Sequence, residues 1–131
     1  MHAAGTFDVK LQPLESYANG KDGIKVGRMS IDKTFTGGLT ASSKGEMLSV
    51  MTPVEGSAGY VAVEQVAGIL DGKKGGFALQ HYGKMEQGEN FLMLEIVPDS
   101  GTGALVGISG KMNIRIENGA HYYEFDYEFV A

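Results

Sequence analysis

Apolar and polar residues alternate along almost the whole chain with a period of two residues. Phe7, Val9 and Leu11 alternate with polar neighbours near the start, and Ile108 and Ile114 do so near the end. Because successive side chains of a strand point to opposite faces, this period predicts β-strands with one buried face. No segment keeps the apolar spacing of a long amphipathic helix. The sequence therefore predicts an all-β protein.

About eight strands follow from this alternation, separated by short turns rich in glycine, asparagine and aspartate. Short connections favour antiparallel pairing of consecutive strands, so a mostly up-and-down meander is the simplest topology. Val26 is out of phase with Met29, and we expect Gly27 to mark a bulge between them. The predicted strands cover residues 6–11, 29–36, 39–51, 60–70, 77–85, 91–97, 104–116 and 121–130.

A weak internal repeat favours a closed barrel over a sandwich of two sheets. Glycine within a strand is costly, and its recurrence at one depth in several strands is typical of a sheet that bends sharply to close. Chance similarity among glycine-rich strands is the alternative explanation. The three copies of this Gly-x-Met pattern are Gly45 with Met47, Gly83 with Met85, and Gly110 with Met112.

The same repeat predicts which face of each strand points into the barrel. In its last copy Val106, Ile108 and Met112 share a face with Gly110 and alternate with charged residues. Transferring this phase to the second copy predicts that His81 points inward. An eight-stranded barrel is either filled by its own side chains or holds one small ligand. The inward glycines favour a cavity.

Composition narrows the class of protein. At 131 residues the chain is predicted to form a single domain, residues 1–131. Its net charge of -5 and scattered basic residues disfavour a nucleic-acid partner. No apolar run approaches the length of a membrane span and no export signal is evident, so we expect a cytoplasmic protein without a membrane partner. Without cysteine, disulfides, thiolate nucleophiles and cysteine-bound metals are excluded.

Inward ionisable side chains are the most informative candidates for function, because a buried charge is usually paired or functional. His81 is suited to orienting a ligand carbonyl or transferring a proton, and a hydrogen-bonded core histidine is the alternative. Glu64 has apolar residues on both faces of its strand, so its direction is ambiguous. Pointing inward, it would be an acid or base with a raised pKa, or it would form a buried ion pair with Lys33. Lys33 itself either points inward or extends to the surface at a strand end.

Tyr60 and Tyr123 are predicted to complete the lining of the cavity, each offering a hydroxyl to a ligand. The predicted ligand-binding residues are therefore Lys33, Tyr60, Glu64, His81 and Tyr123, with Glu64 and His81 also the catalytic candidates. The three histidines are too far apart in sequence for a metal motif, and no cofactor motif is present. We expect neither a metal nor a cofactor.

Some predicted strands are apolar on both faces, which is typical of strands that pack between subunits. Leu48 and Val50 lie opposite the predicted inner face of their strand, and Leu92 and Met93 make both faces of another strand apolar. We therefore expect a homo-oligomer, a dimer or a trimer.

Several short motifs spread over the whole chain carry a resemblance to a known family. They are Gly5-Thr6-Phe7, Ile31-Asp32-Lys33, Ser43-Lys44-Gly45-Glu46-Met47, Gly59-Tyr60-Val61-Ala62-Val63-Glu64, Gln80-His81-Tyr82-Gly83 and Val97-Pro98-Asp99-Ser100-Gly101-Thr102-Gly103. Through them the chain resembles the bacterial domain of unknown function 3224 family (DUF3224). That family is similar in fold to allene oxide cyclase and the dirigent proteins, so the resemblance implies an allene oxide cyclase-like barrel with an apolar cavity. It implies no activity, and no catalytic residue transfers to this chain.

The sequence favours a protein that binds a small apolar or amphipathic ligand inside the barrel. One alternative is a cyclase or isomerase whose cavity shapes an apolar substrate while Glu64 or His81 transfers a proton, a reading that rests on fold analogy. Another is a filled barrel that acts only through its surface.

Overall fold

The computed structural model describes residues 1–130, which form nine β-strands. No helix long and apolar enough to span a membrane occurs among these residues. The strands are β1 (His2–Leu14), β2 (Lys25–Gly37), β3 (Leu39–Met51), β4 (Ala58–Leu70), β5 (Lys73–Glu86), β6 (Glu89–Ile96), β7 (Thr102–Gly103), β8 (Ile108–Glu117) and β9 (Ala120–Phe129).

Eight of these strands close into an antiparallel barrel. Each pairs with its neighbours in the order β1-β2-β3-β4-β5-β6-β8-β9, and the ring closes where β9 pairs with β1. The short β7 lies outside the ring and pairs with β5 through Thr102 and Gly103. The predicted closed eight-stranded barrel with up-and-down connections is confirmed.

The start of the predicted strand before β9 is wrong, and so is the predicted bulge at Gly27. The predicted strand over residues 104–116 begins only at Ile108, because Gly103 and Gly107 have positive φ and the four residues from Ala104 form a turn. As a result Leu105 is buried at 1% exposure, whereas Val106, predicted to point inward, is 67% exposed.

Gly27 does not mark a bulge. The register of β2 with β3 is unbroken from Lys25 opposite Met51 to Phe35 opposite Ala41. Val26 therefore faces outward, opposite in direction to Met29 and Ile31. Its apolar character reflects a partly covered outer surface at this point, not a change of phase.

The interior of the barrel differs between its two ends. At the end where β1 begins and β2 stops, which we call the closed end, large inward side chains pack against one another and are almost fully buried. These are Phe35, Leu39, Leu70, Phe77, Leu105, Phe125 and Tyr127, each 4% exposed or less.

At the opposite end, which we call the open end, inward-facing residues reach solvent. Leu11 is 44% exposed and Met85 is 37% exposed, although alternation places both on the inner face. Met29, Met47 and Tyr60 at the same end are partly buried. The barrel is thus packed solid in one half and open to solvent in the other.

Candidate functional site

Four polar side chains meet on the inner face between the two halves of the barrel. Lys33 on β2, Ser43 on β3, Glu64 on β4 and His81 on β5 come from four consecutive strands and are all buried. We call them the polar cluster. Lys33 lies directly opposite Ser43 in the sheet, and Glu64 lies opposite Gly45.

Glu64 is the centre of this cluster. Its Oε2 lies 2.8 Å from Lys33 Nζ and 2.5 Å from His81 Nε2, and its Oε1 accepts a hydrogen bond of 2.7 Å from Ser43. An ionised carboxylate only accepts hydrogen bonds, so Nε2 of His81 carries a proton in this arrangement. Within residues 1–130, every buried side-chain nitrogen and oxygen has a hydrogen-bond partner.

Glu64 is ionised at neutral pH. Burial by itself would raise the pKa of its carboxyl, but the hydrogen bond from His81 and the charge of Lys33 outweigh burial and lower the pKa to about 2. The prediction of a raised pKa is therefore wrong. The alternative, a buried ion pair with Lys33, is the geometry observed.

Aromatic rings hold the ammonium group of Lys33 inside the barrel. Its Nζ lies 4.9 Å from the ring centroid of Phe7 and 5.8 Å from that of Phe35. The electron-rich faces of these rings attract the cation. Lys33 thus points inward and does not extend to the surface.

Two glycines of the Gly-x-Met pattern allow close packing around the polar cluster. A Cβ atom at Gly45 would lie 2.0 Å from the carbonyl oxygen of Val63 and 2.7 Å from Cα of Glu64, so glycine lets β3 approach β4 closely at this point. A Cβ atom at Gly83 would lie 2.2 Å from the ring of Tyr60. The glycine therefore leaves the space that this ring occupies.

Tyr60 lies beside the cluster, on its open-end side. Burial raises the pKa of its hydroxyl, and the negative charge of Glu64 raises it further. The phenol is therefore neutral at physiological pH and available as a hydrogen-bond donor.

Tyr123 belongs to the closed end and not to the cluster. Its hydroxyl accepts a hydrogen bond of 2.9 Å from the Leu39 N–H and lies 2.9 Å from the carbonyl oxygen of Thr36. The structure brings Lys33, Glu64 and His81 together with Tyr60 close by, but it places Tyr123 in the packing of the β2–β3 turn.

The alternation along β3 predicts that Ser43 faces inward, but the sequence alone does not identify Ser43 as a hydrogen-bond donor to Glu64. The inner phase of β3 carried that signal, since Ser43 is a polar residue between Ala41 and Gly45. Among residues 1–130, no three or more His, Asp or Glu side chains are grouped as metal ligands would be.

A separate apolar groove of about 680 Å³ lies on the outer surface of β2 to β5. We call it the outer groove. Leu48, Val50, Val61 and Tyr82 line it, together with Tyr17 from the loop before β2. These strand residues alternate with the inward positions, so they face away from the polar cluster, and Tyr60 and Gly83 of the inward phase also border the groove.

Comparison with known proteins agrees with the fold and names a family. Residues 3–127 match the family model described as "Protein of unknown function (DUF3224)". A solved structure from Shewanella oneidensis MR-1, described as a protein with unknown function from the DUF3224 family, is 56% identical. The similarity covers 100% of this chain and 98% of that one with a TM-score of 0.98. No curated protein matches the chain. The chain belongs to the DUF3224 family.

Proposed function

We propose that the protein binds a small amphipathic molecule in the open end of the barrel, with the polar cluster as the floor of the site. The proposal rests on the difference in side-chain exposure between the two halves of the barrel interior. Inward side chains are packed solid below the cluster, whereas Leu11, Met85 and their neighbours above it reach solvent.

The residues of the open end suit an apolar ligand. Met29, Met47 and Met85 supply flexible, polarisable side chains that adapt to the shape of a bound molecule. Tyr60 adds a neutral hydroxyl at the edge of the floor. A site that is mostly apolar with a few convergent polar groups is the usual form of a small-molecule pocket.

The floor limits how the ligand is oriented. Glu64 already accepts hydrogen bonds from three side chains, whereas the ammonium of Lys33 makes one hydrogen bond and keeps further N–H donors. A ligand oxygen that accepts a hydrogen bond is therefore the polar group that best suits this floor.

A fluorescent apolar probe, N-phenyl-naphthylamine, tests the proposal through two neighbouring substitutions. Met47→Trp fills the open end from the inside, and Leu48→Trp places the same ring in the outer groove. We expect Met47→Trp to weaken probe binding by about tenfold or more, since an overfilled site must deform to admit the probe. Leu48→Trp leaves binding unchanged. The reverse pattern would assign the probe to the outer groove and overturn the proposal.

A second candidate is proton transfer by His81 to or from a bound apolar substrate, as in a cyclase or isomerase. The 2.5 Å contact of His81 with Glu64 favours this candidate, because a carboxylate that orients an imidazole is a common arrangement in acid–base catalysis. The fold analogy to allene oxide cyclase that the sequence motifs imply supports the same candidate. Turnover of a candidate substrate that disappears in a folded His81→Gln variant would support it, and unchanged turnover would refute it.

A further inference from the structure

The strand pairing of the barrel is incomplete between β6 and β8. These strands pair only at Leu94 with Met112 and at Glu95 with Lys111. Toward the open end both strands continue for five more residues, Glu89–Met93 and Asn113–Glu117, and pair there only with their other neighbours. We call this interval the side slot. At about 3.4 Å per residue it is roughly 17 Å long.

Two features oppose the pairing of β6 with β8 along the side slot. Continuing the register five residues from Leu94 and Met112 would set Glu89 opposite Glu117, and like charges in that position oppose pairing. The turn between β5 and β6 is also bound to the β3–β4 loop, since the Gly88 N–H donates to the Gly56 carbonyl oxygen at 3.1 Å. This bond holds the β5–β6 hairpin toward the β3–β4 loop and away from β8.

Apolar side chains line the side slot and join it to the inner face. Leu92 and Ile116 stand on the inward phase of their strands yet are exposed, Ile116 at 64%. Ile114 lies between Ile116 and the buried Met112 on the same face. Aliphatic residues of the inward phase thus extend along β8 from the exposed Ile116 to the buried Met112.

We propose that the side slot is the ligand's entrance and a binding subsite for a slender, flexible aliphatic chain. This inference rests on the proposed function and deepens it, since it assigns the apolar part of the ligand a location and a shape. The aliphatic lining and the roughly 17 Å length of the side slot fit an unbranched hydrocarbon chain better than a broad ring system. Glu89 and Glu117 at the outer end of the slot disfavour a ligand that carries a negative charge on the end of this chain.

A disulfide across the side slot tests the inference cleanly, because the chain contains no cysteine. In the double variant Met93→Cys with Asn113→Cys, the two thiols adjoin the last paired residues, Leu94 and Met112. The control is Asp8→Cys with Thr34→Cys, which bridges directly opposed residues of the fully paired β1–β2 seam. Association of 1,6-diphenylhexatriene, a slender apolar fluorescent probe, is followed by stopped-flow fluorescence before and after reduction.

We expect oxidation of the slot variant to slow probe association by about tenfold or more, equivalent to roughly 1.4 kcal/mol, and reduction to restore it. Oxidation of the control leaves the rate unchanged. Equal rates for the oxidised and reduced slot variant would overturn the inference and leave the proposed function standing. Absence of probe binding by the unaltered protein would overturn both.

A second variant covers the case in which the disulfide does not form. Glu89→Lys replaces the repulsion across the slot with attraction to Glu117 and favours pairing of β6 with β8. Glu86→Lys makes the same change of charge on β5, where residue 86 is paired with Glu89 within its own hairpin. We expect slower probe association in the first variant alone. Equal rates in the two variants would contradict the inference.

Discussion

Glu64 accepts hydrogen bonds from side chains on three other strands, so its carboxylate ties one side of the barrel together. Removing Lys33 alone leaves a buried carboxylate without its counter-charge. We expect Lys33→Met to lower the free energy of unfolding by about 3–5 kcal/mol. We expect Glu64→Leu combined with Lys33→Met to lower the free energy of unfolding by less than the sum of the two single substitutions, as measured by urea-induced unfolding. Additive effects would contradict a direct ion pair.

The pKa of Glu64 predicts a dependence of stability on pH. Its carboxyl has a pKa of about 2 in the folded protein against an ordinary value of 4.5, so the unfolded state binds a proton more readily. The resulting stabilisation is fully present above about pH 4.5 and is lost as the pH falls toward 2. We expect the difference in unfolding free energy between the unaltered protein and Glu64→Gln to shrink over that interval. A constant difference would contradict the assignment.

The hydroxyl of Tyr123 is expected to contribute to the stability of the fold but not to ligand binding. Tyr123→Phe removes the hydroxyl that accepts the hydrogen bond from the buried Leu39 N–H. We expect a loss of about 1–3 kcal/mol in unfolding free energy, because that N–H is left without a partner. Probe affinity should not change. A weakened affinity with unchanged stability would restore Tyr123 to the binding site.

At the scale of single residues, alternation predicted the inward direction of His81 correctly and left the direction of Lys33 open. It failed to decide the direction of Glu64, because the outer face of β4 is also apolar at Val61 and Val63. Two apolar faces remove the contrast on which the period depends. The partnership of Ser43 with Glu64 is a contact between strands and has no signature in either segment alone.

Among the elements, the close approach of β3 to β4 depends on Gly45. An alanine there would place its Cβ 2.0 Å from a backbone oxygen, whereas at Gly59 on the same strand pair the nearest atom is 3.8 Å away. We expect Gly45→Ala to reduce stability by about 1–3 kcal/mol and Gly59→Ala to have little effect, measured by thermal unfolding. Equal effects would show that the strands are not in close contact at Gly45.

The sequence predicts the order of the strands in the ring but not the interval in which β6 and β8 are unpaired. Turn residues and the Gly-x-Met pattern predicted eight strands and a closed ring. They did not predict the side slot, because it depends on the bond between Gly56 and Gly88 and on the repulsion that a continued β6–β8 register would create between Glu89 and Glu117. These are pairs of residues far apart in the chain.

For the whole molecule, the predicted homo-oligomer remains a prediction, and the outer groove is where we expect subunits to meet. Exposed Leu48, Val61 and Tyr82 form an apolar surface of the kind that subunit interfaces cover. Val61→Glu should reduce the mass measured by light scattering to that of one chain. Gln65→Glu, an exposed residue of the same strand outside the groove, serves as the control. A single-chain mass for the unaltered protein would contradict the expectation.

Methyl nuclear magnetic resonance of the seven methionines can locate a ligand site inside the open end of the barrel. Met29, Met47 and Met85 stand on the inner face at the open end, whereas Met93 faces outward beside the outer surface of β5. On titration with N-phenyl-naphthylamine, we expect the methyl resonances of Met29, Met47 and Met85 to shift together and to saturate at one probe per chain. Shifts confined to Met93 would place binding on the outside of the barrel and contradict the account.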